Sequence, residues 1–200
     1  MEEDMAKQDD EELAIDLRNN TMTGEWEKVV EMYEKHQTKA ICARINTSGD
    51  TALHVAVSIA PEDMVRKLVS VITEVSEFGL WTKNNEGNTP LHVAATTRRY
   101  LICRHLAKEL KNSEVQVLED LFRNNAGESP HFLAASHGQK PNFFCLRFLG
   151  GSPGSNHSQS NPYYRRKDGE TILHCAIRWE HFGEYIFLLN FFFFFFFEVS

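Results

Sequence analysis

Three histidines, His54, His92 and His174, have the side chains best suited to chemistry, because an imidazole can hold a transition metal or relay a proton near neutral pH. Each follows a threonine by three positions, in the pairs Thr51 and His54, Thr89 and His92, and Thr171 and His174. Ligands to one ion must approach it to about 2 Å. Histidines carried by successive stacked elements stand a helix width apart, roughly 10 Å, and so cannot meet at one ion. His131 and His137 are six positions apart and do not share a helix face as an i, i+4 pair would. Asp50, Glu128 and Glu170 each follow a glycine; a carboxylate recurring at one position suits a helix N-terminus better than a paired acid and base. The stretch Gly150-Gly151-Ser152-Pro153-Gly154 lacks the lysine and helix of a phosphate loop, and no nucleophile elbow or kinase signature occurs. These residues therefore imply no catalytic, cofactor-binding or metal site. The histidines are expected to bond nearby backbone and fix a turn.

The elements that must position them begin with Gly87-Asn88-Thr89-Pro90-Leu91-His92-Val93-Ala94-Ala95. With Thr89 as N-cap, Pro90 takes the first helical position, where a missing N–H costs nothing and the fixed φ suits a helix. The Thr89 hydroxyl can then accept the His92 N–H, an effect of about 1 kcal/mol. Related stretches start at Gly49 (Thr51, Leu53, His54), Gly127 (Ser129, Pro130, His131, Phe132) and Gly169 (Thr171, Leu173, His174). The glycines lie 38, 40 and 42 residues apart. This motif resembles the Thr-Pro-Leu-His-x-Ala signature of ankyrin repeats, whose usual period is about 33 residues, so the excess is expected in loops. The longer period and the phrases around Gly87 and Gly169 are similar to plant ankyrin-repeat proteins that carry a C-terminal multi-helix membrane domain, the PGG domain. The resemblance implies an all-α solenoid of stacked helix-turn-helix units joined by finger-like turns. It also implies a setting at the cytosolic side of a membrane, in defence or stress signalling.

Composition is compatible with this. The chain has 200 residues, of which 42% are hydrophobic and 24% charged, enough for one domain or a short solenoid. A formal charge of −7 argues against phosphate neutralisation, and no nucleic acid partner is expected. Cys42, Cys103, Cys145 and Cys175 are scattered, which reads as reduced thiols of a cytosolic protein. The acidic N-terminus has no apolar core and does not resemble a signal peptide.

Residues 1–12 read as a solvated acidic lead-in, and about five repeats are expected over 13–190, at 13–46, 47–84, 85–124, 125–166 and 167–190. The first is degenerate: Leu13, Ala14 and Leu17 share a face, a break falls near Asn19, Asn20 and Gly24, and Trp26, Val29, Val30 and Tyr33 follow at helical spacing. In the second, Met64, Val65, Leu68, Val69 and Ile72 mark an outer helix, and Phe78, Leu80 and Trp81 form an apolar cluster under the next turn. The third has an outer helix through Ile102, Cys103, Leu106, Ala107 and Leu110. In the fourth, His131 stands where Leu53, Leu91 and Leu173 stand, so its imidazole must find a partner or cost about 1 to 3 kcal/mol; a one-residue slip would relieve it.

A Gly/Ser/Pro-rich insertion at 150–164 reads as a surface loop. Its exit residues Tyr163, Tyr164, Arg165 and Arg166, with the turn residues Asn84, Asn85, Arg123 and Asn124, are the candidate protein contacts. The apolar run 185–197 would make a helix of about 20 Å, shorter than the roughly 30 Å hydrocarbon core. Its seven phenylalanines, 191–197, read as translation through a pyrimidine-rich intron edge, with the natural protein continuing into the membrane domain. As written, that tail is expected to drive association of an otherwise monomeric chain. The expected function is recognition of a partner protein on the concave side, either as a soluble adaptor or as the regulatory head of an integral membrane protein.

Overall fold

Trp26, Val29, Val30 and Tyr33 lie on one side of a single helix, Trp26–His36, and all four are buried. The same rule, an apolar stripe at the helical period, builds the long outer helices Glu62–Val75 and Tyr100–Asn112 of the computed structural model, which describes residues 2–76, 78–112, 122–146, 165–172, 174 and 175. The helices are α1 (Glu2–Thr23), α2 (Trp26–His36), α3 (Thr38–Cys42), α4 (Ala52–Ile59), α5 (Glu62–Val75), α6 (Pro90–Thr96), α7 (Tyr100–Asn112), α8 (Pro130–Ser136) and α9 (Lys140–Leu146), with a 3-10 turn at Gly79–Trp81. Among the described residues there is no strand, only an isolated bridge between Arg165 and Thr171.

The helices form two rows. Inner helices α1, α4, α6 and α8 pack on their successors, as do outer helices α2, α5, α7 and α9, and each inner helix lies against the outer helix that follows it. A unit of this kind has an apolar face on each side and is stable only when neighbours cover both. The core accordingly runs the length of the stack, from Leu13 and Leu17 through Leu53, Leu68, Leu91 and Leu106 to Phe132 and Leu146.

Several elements differ from the reading of the sequence. Residues 2–12 belong to α1, so no element boundary falls at 12/13. Glu, Lys, Gln, Met and Ala are good helix formers, and acids near a helix N-terminus are favourable, so acidity here extends the helix. The break expected near Asn19, Asn20 and Gly24 falls at Gly24, and the two asparagines stay helical. Asn20 Nδ2 donates to the Asp16 carbonyl (2.9 Å) and Thr23 Oγ1 to the Asn19 carbonyl (2.9 Å), so these short polar side chains bond within the helix. The helix stops at Gly24, φ +79°, where Glu25 N reaches back to Asn20 O at 2.9 Å and closes the C-terminal turn.

The extra length of the second unit is not simply loop. It includes the 14-residue α5 and the 3-10 turn, whose Leu80 and Trp81 are buried while Phe78 is exposed. Trp81 meets Phe122 of the next unit edge to face, with centroids 5.0 Å apart. The fourth unit shows no register slip: Ser129 Oγ accepts the Phe132 N–H (3.1 Å), and α8 spans seven residues, as α6 does. The 150–164 insertion with Tyr163 and Tyr164, Leu173, the part of the expected 167–190 repeat beyond Cys175 and the 191–197 tract lie outside the described residues.

Candidate functional site

The signature threonine and histidine form a reciprocal cap. In α4, Thr51 N–H donates to His54 Nδ1 (3.2 Å), and Thr51 Oγ1 lies 2.8 Å from the same nitrogen. Because Nδ1 receives a backbone N–H, the ring proton belongs on Nε2, and Nε2–H donates to Asn88 O of the next unit at 2.9 Å. His92 repeats this arrangement. Thr89 N–H donates to Nδ1 (3.1 Å), Thr89 Oγ1 accepts the His92 N–H (3.4 Å), and Nε2 reaches Glu128 O (3.2 Å). Each of these rings therefore starts its own helix and ties it to the turn of the following unit. Thr171 and His174 make the same local contacts, with Nδ1 receiving Thr171 N–H at 3.1 Å.

Burial holds the His54 and His92 imidazoles neutral. It pushes His92 down to about 3, against the opposing pull of the Glu128 carbonyl, and it lowers His54 as well. A protonated ring would also present an N–H to the threonine N–H that now donates to it. Phe132 occupies the signature position in the fourth unit and is buried, with the Arg166 guanidinium 6.0 Å from its ring centroid. His131, beside it, is buried edge-on against Phe143, with centroids 5.9 Å apart, and burial pushes it down to about 3.

The turns before the inner helices are joined side by side. In the last three, the residue three before the glycine hydrogen-bonds across the turn, as in Asn84 N to Asn88 O (2.9 Å) and Asn124 N to Glu128 O (3.0 Å); in the first, Ile45 N reaches Asp50 O at 2.8 Å. Asn84 Oδ1 accepts Glu86 N–H and Asn88 N–H, while its Nδ2 donates to Asp50 Oδ1 of the previous unit at 2.7 Å. Asn124 repeats the pattern, with Nδ2 donating to Asn88 Oδ1 (2.9 Å) and Oδ1 accepting Glu128 N–H. One position later, Asn85 Nδ2 donates to Thr47 O (3.0 Å), Asn125 Nδ2 to Asn85 O (2.8 Å) and Lys167 Nζ to Asn125 O (3.2 Å).

This pattern places the candidate contacts. Asn84, Asn124, Arg123 and Arg166 face neighbouring turns: Arg123 Nη1 donates to Gly127 O and Arg165 O, both at 2.7 Å, and Arg166 bridges Glu128 (3.6 Å) and Glu170 (3.0 Å). Asn124 is only 7% exposed. Asn85 and Arg165 are exposed. Asp50 and Glu128 thus act sideways between turns, while Glu170 pairs with Arg166 of its own turn. Sequence reasoning missed Asn46, Asn88 and Asn125, although columns counted from the repeat glycines, three before, one after and two before, would have found them. It also missed Arg99 and Asn142. Arg99, just before α7, donates to the Ala56, Val57 and Ala60 carbonyls that end α4. Asn142 Nδ2 does the same for α6 through Ala94 O (3.2 Å), Ala95 O (3.1 Å) and Thr97 O (2.7 Å). These two sit at different offsets from their signatures, so no column marks them.

No group of three or more potential metal ligands occurs among the described residues. The rim of the turns is exposed at Asn85, Glu86, Asn125, Ala126, Lys167 and Asp168, and so is Ile59 (62% exposed) at the C-terminal end of α4. Residues 27–119 match the family model for ankyrin repeats, in three copies. No curated protein matches the chain. With its paired helices and linked turns, the fold is an all-α ankyrin-repeat solenoid.

Proposed function

We propose that this chain, a carrier of ankyrin repeats and to that extent a protein-interaction module, grips its partner protein along the turn rim and the exposed side of the inner helices. The observation that carries the reading is the division of labour among turn residues. Asn84, Asn124, Arg123 and Arg166 are turned in against neighbouring turns, whereas Asn85, Asn125 and Lys167 join the turns while staying exposed, beside the exposed Glu86 and Asp168, on a row whose backbone is already set. A surface ordered before binding loses little conformational entropy, so modest contacts suffice for useful affinity.

The resemblance of the Gly87 and Gly169 phrases to plant ankyrin-repeat proteins with a PGG domain supports a setting on the cytosolic face of a membrane, in defence or stress signalling. There the solenoid serves as the regulatory head of a membrane protein or as a free adaptor. Proximity labelling tests the grip: a triple variant Ile59→Ala, Glu86→Ala, Asp168→Ala should lose the proteins enriched by the unaltered chain while melting at the same temperature. An unchanged set of enriched proteins would remove the proposal. For the setting, the transcript read past the 191–197 tract should encode several apolar segments of about 20 residues each. A tract confirmed as spliced message and followed by a stop leaves the adaptor reading alone.

A further inference from the structure

Outer helices α7 and α9 pack directly on one another, and at their contact the Cys103 and Cys145 sulfurs are 3.8 Å apart. Cys103 is fully buried and Cys145 is partly exposed, so a reagent in solution meets Cys145 first. We propose that Cys103 and Cys145 form a dithiol that a small-molecule disulfide converts into a covalent link between the third and fourth repeats. The sulfurs need to close from 3.8 Å to about 2.0 Å between two helices already in contact.

The chemistry assigns the two cysteines different parts. The Cys103 S–H beside it, with the Arg104 charge, holds the Cys145 thiol below its usual range, whereas the same pairing and burial push Cys103 up. Cys145 is therefore the attacking thiolate. It displaces one thiolate from the small disulfide and forms a mixed disulfide; the proton it gave up ends on the departing sulfur. Cys103 then loses its proton and attacks Cys145 Sγ, breaking the mixed disulfide and expelling the second thiolate, which takes that proton. Two protein thiols are oxidised by two electrons, and one small disulfide is reduced to two thiols. In the thiol state the Cys145 sulfur also lies 3.2 Å from Asn142 O, so the residue that caps α6 is next to the reacting centre.

The test equilibrates the full chain with mixtures of reduced and oxidised glutathione, quenches it in acid, alkylates the remaining thiols and maps them by mass spectrometry. Expected is the joint loss of the Cys103 and Cys145 thiols, a cross-linked peptide pair lighter by two hydrogens, and full reversal by dithiothreitol. Amide exchange in α8 and α9 should slow by about tenfold in the oxidised chain. Cys145→Ser should abolish all reaction at Cys103, whereas Cys103→Ala should stop the sequence at a glutathione adduct on Cys145. Three results overturn the proposal: a stable glutathione adduct on Cys145 of the unaltered chain, a link joining either cysteine to Cys42 or Cys175 instead, or both thiols retained across the whole range.

Discussion

At the scale of single residues, the signature histidine is a two-sided connector, and its two sides depend on a neutral ring. In an unfolded chain an imidazole titrates near 6.5, whereas His92 and His131 are pushed down to about 3. Between those values the unfolded chain binds more protons than the folded one. Stability is then complete above about pH 6.5 and lost as the pH falls toward 3, by about 2 kcal/mol per ring at pH 5. Denaturant titrations at pH 7.5 and pH 5 should show that difference. His131→Leu, which restores the residue found at positions 53, 91 and 173, should remove one ring's share of it; an unaltered pH slope in that variant would contradict the assignment. His92→Ala should cost about 3 kcal/mol, because it opens a buried site and leaves a helix start and the Glu128 carbonyl without their partner.

At the scale of elements, glycine and the interhelical caps decide whether neighbouring units can approach. Gly87 has φ +78°, and a Cβ there would fall 2.6 Å from Asn125 Oδ1 and 2.7 Å from Asn125 N. Gly24 has a similar φ, +79°, but the nearest atom would be 3.8 Å away. Gly24→Ala should thus cost about 1 to 2 kcal/mol from backbone conformation alone, and Gly87→Ala clearly more; equal losses would mean that the turns do not press on each other. Asn142→Asp should be worse than Asn142→Ala, since it keeps the shape but turns carboxylate oxygens toward three carbonyls, at a cost of about 3 kcal/mol or more. The helix starts were legible in the sequence because Thr, Pro, Leu and His carry local instructions that recur in register. The ties between units were only half legible. Asn46, Asn84 and Asn124 repeat in a column three before the glycine, but whether such a side chain faces solvent or its neighbour depends on stacking. Arg99 and Asn142 reach carbonyls some 40 residues away in sequence, and no local pattern encodes that. The acidic start of α1 was misread because charge was weighed over helix propensity.

At the scale of the whole molecule, stability is shared between adjacent units, so protection should peak in helices packed on both sides, as α4 is by α1 and α6, and α6 by α4 and α8. Native-state hydrogen exchange is expected to be slowest in α4 and α6 and faster in α8, whose signature position carries Phe132 in place of a histidine. Exchange in α8 outlasting that in α6 would show that the histidine ties contribute little. The relays from Asn85 to Thr47, Asn125 to Asn85 and Lys167 to Asn125 all run the same way, each turn giving an N–H backward and offering a carbonyl forward. The row therefore has polarity, like a zip with hooks on one edge and loops on the other. A duplicated 49–86 block spliced in after residue 86 would meet matching chemistry at both new seams, whereas no reversed copy could. Growth or loss of whole units is thus built into the turn chemistry, and a block would have to enter head to tail.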